Sequence, residues 1–368
     1  MVNFKRLRLR VERFQEFLRN KGIDAAMIRT LSSFTYFTGV KWLRPALLIP
    51  ADGDPIAFIF KYEAEEFAAK TWITNIKTYV RVEELMKMVT GSIRNSGFKK
   101  VGFDFSVERD SYVLFFELFK KMNPQIEIVD VHSLIMKLRM VKDEGELDNI
   151  KRASKICEAG MKKAVESIDI GRSELDIAAE ALNEMMKRGA EDPHVYVTAG
   201  PKPRIHAEPR SWNRISSGDT VEIVISADYN GYYSNLSRTV FLGKMSIEKW
   251  RICEVYLEAL RIVEENLNSG VKLIDIEHLV QHVIYENGYG DYYVAGFTHG
   301  VGLLIEEDPI TTIIPSHRQY MVQENMVLAF IHAPLTVPNV GTVKFEDTYL
   351  IRFGKPEKLT NFSYKLAK

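Results

Sequence analysis

The pattern of apolar residues changes character near residue 139, and that change restricts the chain to a fold in two parts. Before it, short apolar runs at 25–28, 46–50, 56–60, 101–105 and 126–131, with a strand-like segment at 78–80, interleave with stretches of helical spacing at 4–21, 61–71, 82–95 and 110–121. Gly22 ends the first helical stretch, and Ala51-Asp-Gly-Asp-Pro55 has the composition of a hairpin turn. Alternating strands and helices predict an α/β domain over 1–138.

From residue 138 a helix is expected to run to about 167. Ser173 then caps a second helix that ends near Gly189, because a serine hydroxyl can satisfy a free amide at a helix start. Strands follow over 195–242, helices over 246–269 and 275–288, and strands over 325–333 and 342–353. Helix pair then strands, twice over, predicts an α+β domain over 139–368. The order is consistent with an internal duplication, although no short-period repeat is visible.

Lys plus Arg equals Asp plus Glu, 49 each, so no net charge recommends nucleic acid or an anionic membrane as a partner. No apolar run reaches the roughly 18 residues of a membrane span. The basic start lacks the apolar core of a signal peptide and reads as the first turns of a helix. Cys157 and Cys253 have no framework spacing, so a reducing, cytoplasmic location is expected.

Five markers occur in order: Tyr36-Phe-Thr-Gly39; Leu138-Arg139-x-x-Lys142-x-x-x-Glu146; Gly218-Asp219 with Gly231 to Arg238-Thr239; Thr298-His-Gly-Val-Gly-Leu-Leu-Ile-Glu-Glu-Asp-Pro309; and Val343-Lys-Phe-Glu346-Asp347-Thr348. Each is weak alone. Together, over nearly the whole chain, they resemble the creatinase, prolidase and Xaa-Pro aminopeptidase family. The resemblance implies a creatinase-type, ribonuclease-H-like N-terminal α/β domain and a pita-bread C-terminal domain. It also implies a homodimer and a pocket in the C-terminal domain.

Active peptidases of this family hold two divalent metals, such as manganese, cobalt or zinc, with two Asp, one His and two Glu. Several carboxylates are needed because neighbouring cations repel. The resemblance places those ligands at Val224, Asn235, His299, Ile331 and Glu346. Valine and isoleucine offer no donor, and asparagine offers only a neutral oxygen. The dinuclear site is therefore expected to be lost and no metal bound. Glu222, two residues before Val224, would share its strand face. His332, one step beyond Ile331, is expected on the opposite face and outside the pocket. A mononuclear site rebuilt from His299, Glu346 and one of Glu222, His332, Glu306 or Glu307 is the alternative.

Two outer histidines handle protons in active relatives. The resemblance puts Glu306 at one of those places, which reverses its proton role. His206, in Gly200-Pro-Lys-Pro-Arg-Ile-His206, is a candidate for the other, one residue early. Creatinase works without metal, but the acids it uses fall here at Ser237 and Ile331. Arg238 reads as a structural partner across the sheet. His278 and His282 read as a solvated helix face. Two further classes stay open. One is a metal-free hydrolase using His206, His299, Glu306 and Glu346. The other is a Xaa-Pro peptidase with rearranged ligands. The preferred expectation is a family member that binds a peptide or small amide without dinuclear chemistry, as a peptidase-like histone-chaperone domain of the broader family does.

Overall fold

The computed structural model describes residues 4–202, 204–364 and 367–368. Met1 to Asn3, at the head of the expected first helix, lie outside them. The chain divides into two units, Met1–Arg139 and Met140–Lys368.

The first unit carries α1 (Phe4–Asn20), β1 (Ala25–Ile28), α2 (Leu31–Thr38), β2 (Leu47–Pro50), β3 (Ile56–Phe60), α3 (Ala64–Lys70), β4 (Asn75–Tyr79), α4 (Val82–Asn95), β5 (Lys100–Phe103), α5 (Asp110–Met122) and β6 (Glu127–Asp130). One mixed sheet runs in the order β4-β3-β2-β1-β5-β6. β1 and β2 pair antiparallel, while β1, β5 and β6 are parallel. The Tyr36 marker lies on α2, and Gly39 ends that helix at φ +78°, donating its amide to Thr35 O. That left-handed position favours glycine.

The expected long helix from residue 138 is instead two. α6 (His132–Met140) stops, and α7 (Glu144–Ser167) starts afresh. Asp143 is the cause. Its carboxylate accepts from Gly145 N and Glu146 N, while Glu146 reaches back to Asp143 N at 3.0 Å. Ser173 caps α8 (Glu174–Lys187) as expected.

In the second unit β7 (His194–Ala199), β8 (Thr220–Tyr229) and β9 (Tyr232–Phe241) form one antiparallel sheet. Helices α9 (Ile247–Asn266) and α10 (Leu273–Glu286) follow. β10 (Thr298–Gly300), β11 (Glu307–Ile310), β12 (Val327–Phe330), β13 (Leu335–Val337), β14 (Gly341–Val343), β15 (Asp347–Leu350) and β16 (Glu357–Lys358) complete it. The second sheet runs β11-β10-β12-β15-β16. Val221, Ile223, Ile225, Leu236 and Val240 pack with α7 and α8 in one apolar core. Strand alternation then turns Glu222, Val224, Asn235 and Ser237 to the other face. Ser237 and Glu346 exchange backbone hydrogen bonds, which ties the first sheet to the segment entering β15. Among the described residues no helix is long and apolar enough to cross a membrane.

Candidate functional site

Glu346 is the hub of a buried polar cluster. Its Oε2 accepts from Ser237 Oγ at 2.8 Å and lies 3.1 Å from the Lys344 ammonium. Its Oε1 lies 3.2 Å from His332 Nδ1 and 3.6 Å from His299 Nε2. Burial alone would raise this carboxyl. The Lys344 ammonium and the two imidazole bonds outweigh it and hold Glu346 well below the usual carboxylate range.

The three histidines adjoin one another. The His299 and His332 rings are 4.7 Å apart edge to face, and His206 lies 5.0 Å from His332. His299 Nδ1 faces Gly300 O at 2.9 Å; a carbonyl only accepts, so Nδ1 carries the proton of the neutral ring. Burial works against a charge on His299, but the bond to Glu346 and the Glu306 charge raise its pKa overall. Burial and then the Lys344 charge lower His332. Lys344 Nζ donates to His206 Nε2 at 2.8 Å, and this cation, with burial, pushes His206 down to about 3. His206 is therefore neutral near pH 7 and keeps Nδ1–H as a donor.

Four of the candidate residues thus share one cluster: His206, His299, Glu306 and Glu346. Glu306 Oε1 lies 3.7 Å from His332 Nε2. His206 reaches the cluster because its loop is pinned. Glu174 is fully buried and accepts from Ala199 N at 2.8 Å, Arg210 N at 2.9 Å and Asn213 Nδ2 at 2.7 Å, and it pairs with Arg204.

Two expectations are corrected. His332 is not turned away from the other candidates; it touches Glu346 and stands between His206 and His299. Ile331 does not join the polar cluster; it belongs to the apolar core that also holds Phe330, Tyr256 and Phe345. The reason is local. β12 ends at Phe330, so strict alternation no longer governs the next two residues, and Tyr256 Oη holds Ile331 O and Ala333 O at 3.0 Å each.

Val224 pairs with Ser237 across β8 and β9 and is buried on the face turned from the helices. Asn235 donates Nδ2 to Ile305 O at 3.0 Å, and its Oδ1 has no hydrogen-bond partner among the described residues. Glu222 accepts from Thr198 Oγ1 at 3.2 Å, and burial raises it to about 7 despite the nearby Lys344. Arg238, read as a partner across the sheet, is fully buried, and its Nη2 donates to both carboxylate oxygens of buried Asp347 at 2.9 and 3.1 Å. His278 and His282 are exposed on α10. Burial raises both cysteine thiols, so neither is a ready nucleophile.

Sequence reasoning did not single out Lys344. The available signal was its place two residues before Glu346 in an extended segment, which puts both on one face. The Lys142 marker is also explained: its ammonium pairs with Glu307 at 3.0 Å with both side chains buried, fixing the His299 segment.

The match to the metallopeptidase family M24 model extends over residues 148–352, more than half the chain, and a creatinase/prolidase N-terminal domain matches over 10–141. The chain belongs to metallopeptidase family M24. Among its M24 relatives is a Xaa-Pro dipeptidase of Pyrococcus furiosus, 28% identical over 97% of this chain and 99% of that protein. Another is a Xaa-Pro dipeptidase of Pyrococcus horikoshii, 27% identical over 97% of this chain and 98% of that protein. The crystal structure of the Pyrococcus horikoshii prolidase matches with a TM-score of 0.87 at 26% identity, covering 97% of this chain and 99% of that one. The creatinase-type N-terminal domain and the pita-bread M24 domain are therefore both present.

Proposed function

We propose that this M24 member does not assemble a two-metal centre and uses the retained pocket to bind a peptide or small amide. The observation that carries the reading is the Lys344 ammonium, buried 3.1 Å from Glu346 Oε2. Of the five ligand positions that the family resemblance assigns, Val224 has no donor, Asn235 is neutral, and Ile331 lies in the core. Glu346 is the only acid among them, and Lys344 already balances its charge. A divalent ion about 4 Å from that ammonium would meet a repulsion of roughly 8 kcal/mol at an effective dielectric constant near 20. The donor set does not fit two cations.

What remains suits recognition of an amide. Neutral His206 offers Nδ1–H to a ligand carbonyl, while Lys344 holds its Nε2. Burial and fixed dipoles make such a bond stronger than in water. A homodimer with a cytoplasmic location is part of the same proposal; sedimentation velocity and cell fractionation test those two points.

Calorimetric titration with Xaa-Pro dipeptides, on chelator-treated protein, tests the central reading. Binding that weakens at least about 10-fold in His206→Ala, the loss of about one hydrogen bond, is expected. Dipeptide turnover that requires two added manganese ions and disappears in His299→Ala would overturn it.

A further inference from the structure

Resting on the absence of a two-metal centre, we infer that His299, Glu306 and His332 form a site for one divalent transition-metal ion of zinc type. Ligand atoms from these three residues all lie within 4.8 Å of one another. A zinc ion with bonds of about 2.0–2.1 Å sets its ligands roughly 3.4 Å apart. The His332 Nε2 to Glu306 Oε1 distance of 3.7 Å is already near that value.

Hydrogen bonding has pre-set both rings. Gly300 O takes the proton of His299 Nδ1, and ionised Glu346 takes that of His332 Nδ1. His332 therefore keeps a lone pair on Nε2, while His299 Nε2 faces Glu346 Oε1 at 3.6 Å, a contact that a metal ion would take over. A carboxylate or carbonyl that orients a ligating imidazole through its other nitrogen is the usual outer partner of a metal site. Asn235 gives a second, independent indication. It is 2% exposed, its amide nitrogen is spent on Ile305 O beside Glu306, and its Oδ1 is left without a partner among the described residues. A buried orphan acceptor of this kind calls for a donor, such as a metal-bound water. Two imidazoles and one carboxylate leave a fourth position open to a ligand. The site differs from the five positions of the two-metal set, sharing only His299. It arises because His332, rather than Ile331, joins the cluster around Glu346.

The test is zinc titration of chelator-treated full-length protein, with cobalt absorption as an independent readout. The background carries His278→Ala and His282→Ala, because that exposed pair on α10 is able to bind zinc on its own. One equivalent is expected. His332→Ala and Glu306→Gln should each weaken it beyond the roughly 10- to 100-fold that loss of an outer partner costs. Melting curves confirm that each variant folds. No bound equivalent would overturn this inference and leave the preceding reading standing. Two equivalents in the pocket would overturn that reading and this inference with it. One equivalent indifferent to both substitutions would overturn the ligand assignment.

Discussion

The Lys344 ammonium lies 3.1 Å from Glu346 Oε2, and both side chains are almost fully buried. A positive charge is thus built into the chain beside the one acid kept from the family's ligand set. Removing one partner of a buried pair leaves the other uncompensated. Lys344→Met should therefore cost about 3–5 kcal/mol in denaturant unfolding. Because Glu346 then lacks a cation, added zinc should recover part of the loss by binding the folded state. An unchanged midpoint without zinc would show that the pair is not needed for charge balance.

Glu222 makes a pH prediction with a definite sign. Its pKa rises from an ordinary 4.5 to about 7 in the folded protein. The fold thus favours the protonated form. Its contribution is fully present below pH 4.5, is lost as pH rises through 7, and is flat above that. The size is about 3 kcal/mol at most. Unfolding free energies of the parent and Glu222→Gln, compared across pH 4–8, should diverge in that window, with the variant gaining. Parallel curves would place the carboxyl in contact with water.

Rebuilding the lost carboxylates should separate pocket from core. Val224→Asp with Asn235→Asp adds two acids on the face shared with Ser237 and should produce manganese binding by calorimetry. Adding Ile331→Glu should not help. That side chain packs among Phe330, Tyr256 and Phe345, and an uncompensated charge there costs several kcal/mol. A triple variant that is stable and binds manganese more tightly than the double would return residue 331 to the pocket.

Glu174 positions the loop of His206 without touching the cluster itself. Glu174→Ala leaves Arg204, Ala199 N and Arg210 N without their acceptor. Dipeptide affinity should fall with the His206→Ala variant, and the two substitutions should be non-additive by more than about 0.5 kcal/mol in a double-mutant cycle. Additive effects would mean that the loop does not work through His206.

The family and the two-part fold were legible because the marker residues perform local jobs that spacing reveals. Gly39 ends a helix, Glu146 closes a capping box on Asp143, and Lys142 meets Glu307. The same Asp-x-x-Glu signal marks the break before α7, but the longer helical periodicity masked it. α2 was not legible, because Phe34-Thr-Tyr-Phe-Thr38 has the β-branched and aromatic composition of a strand. The site was read less completely. His299, Glu306, Glu346 and His206 lie in one cluster around His332. Strand alternation extended past Phe330, where β12 ends, gives His332 the wrong face. A lysine in sequence reads as surface, and only the tertiary fold shows Lys344 buried between Glu346 and His206.

Anomalous scattering from crystals soaked in manganese counts the ions in the pocket directly. The account predicts at most one ion, ligated by His299, Glu306 and His332, and none against Val224. Two ions a few ångströms apart, with Val224 and Asn235 beside them, would contradict it.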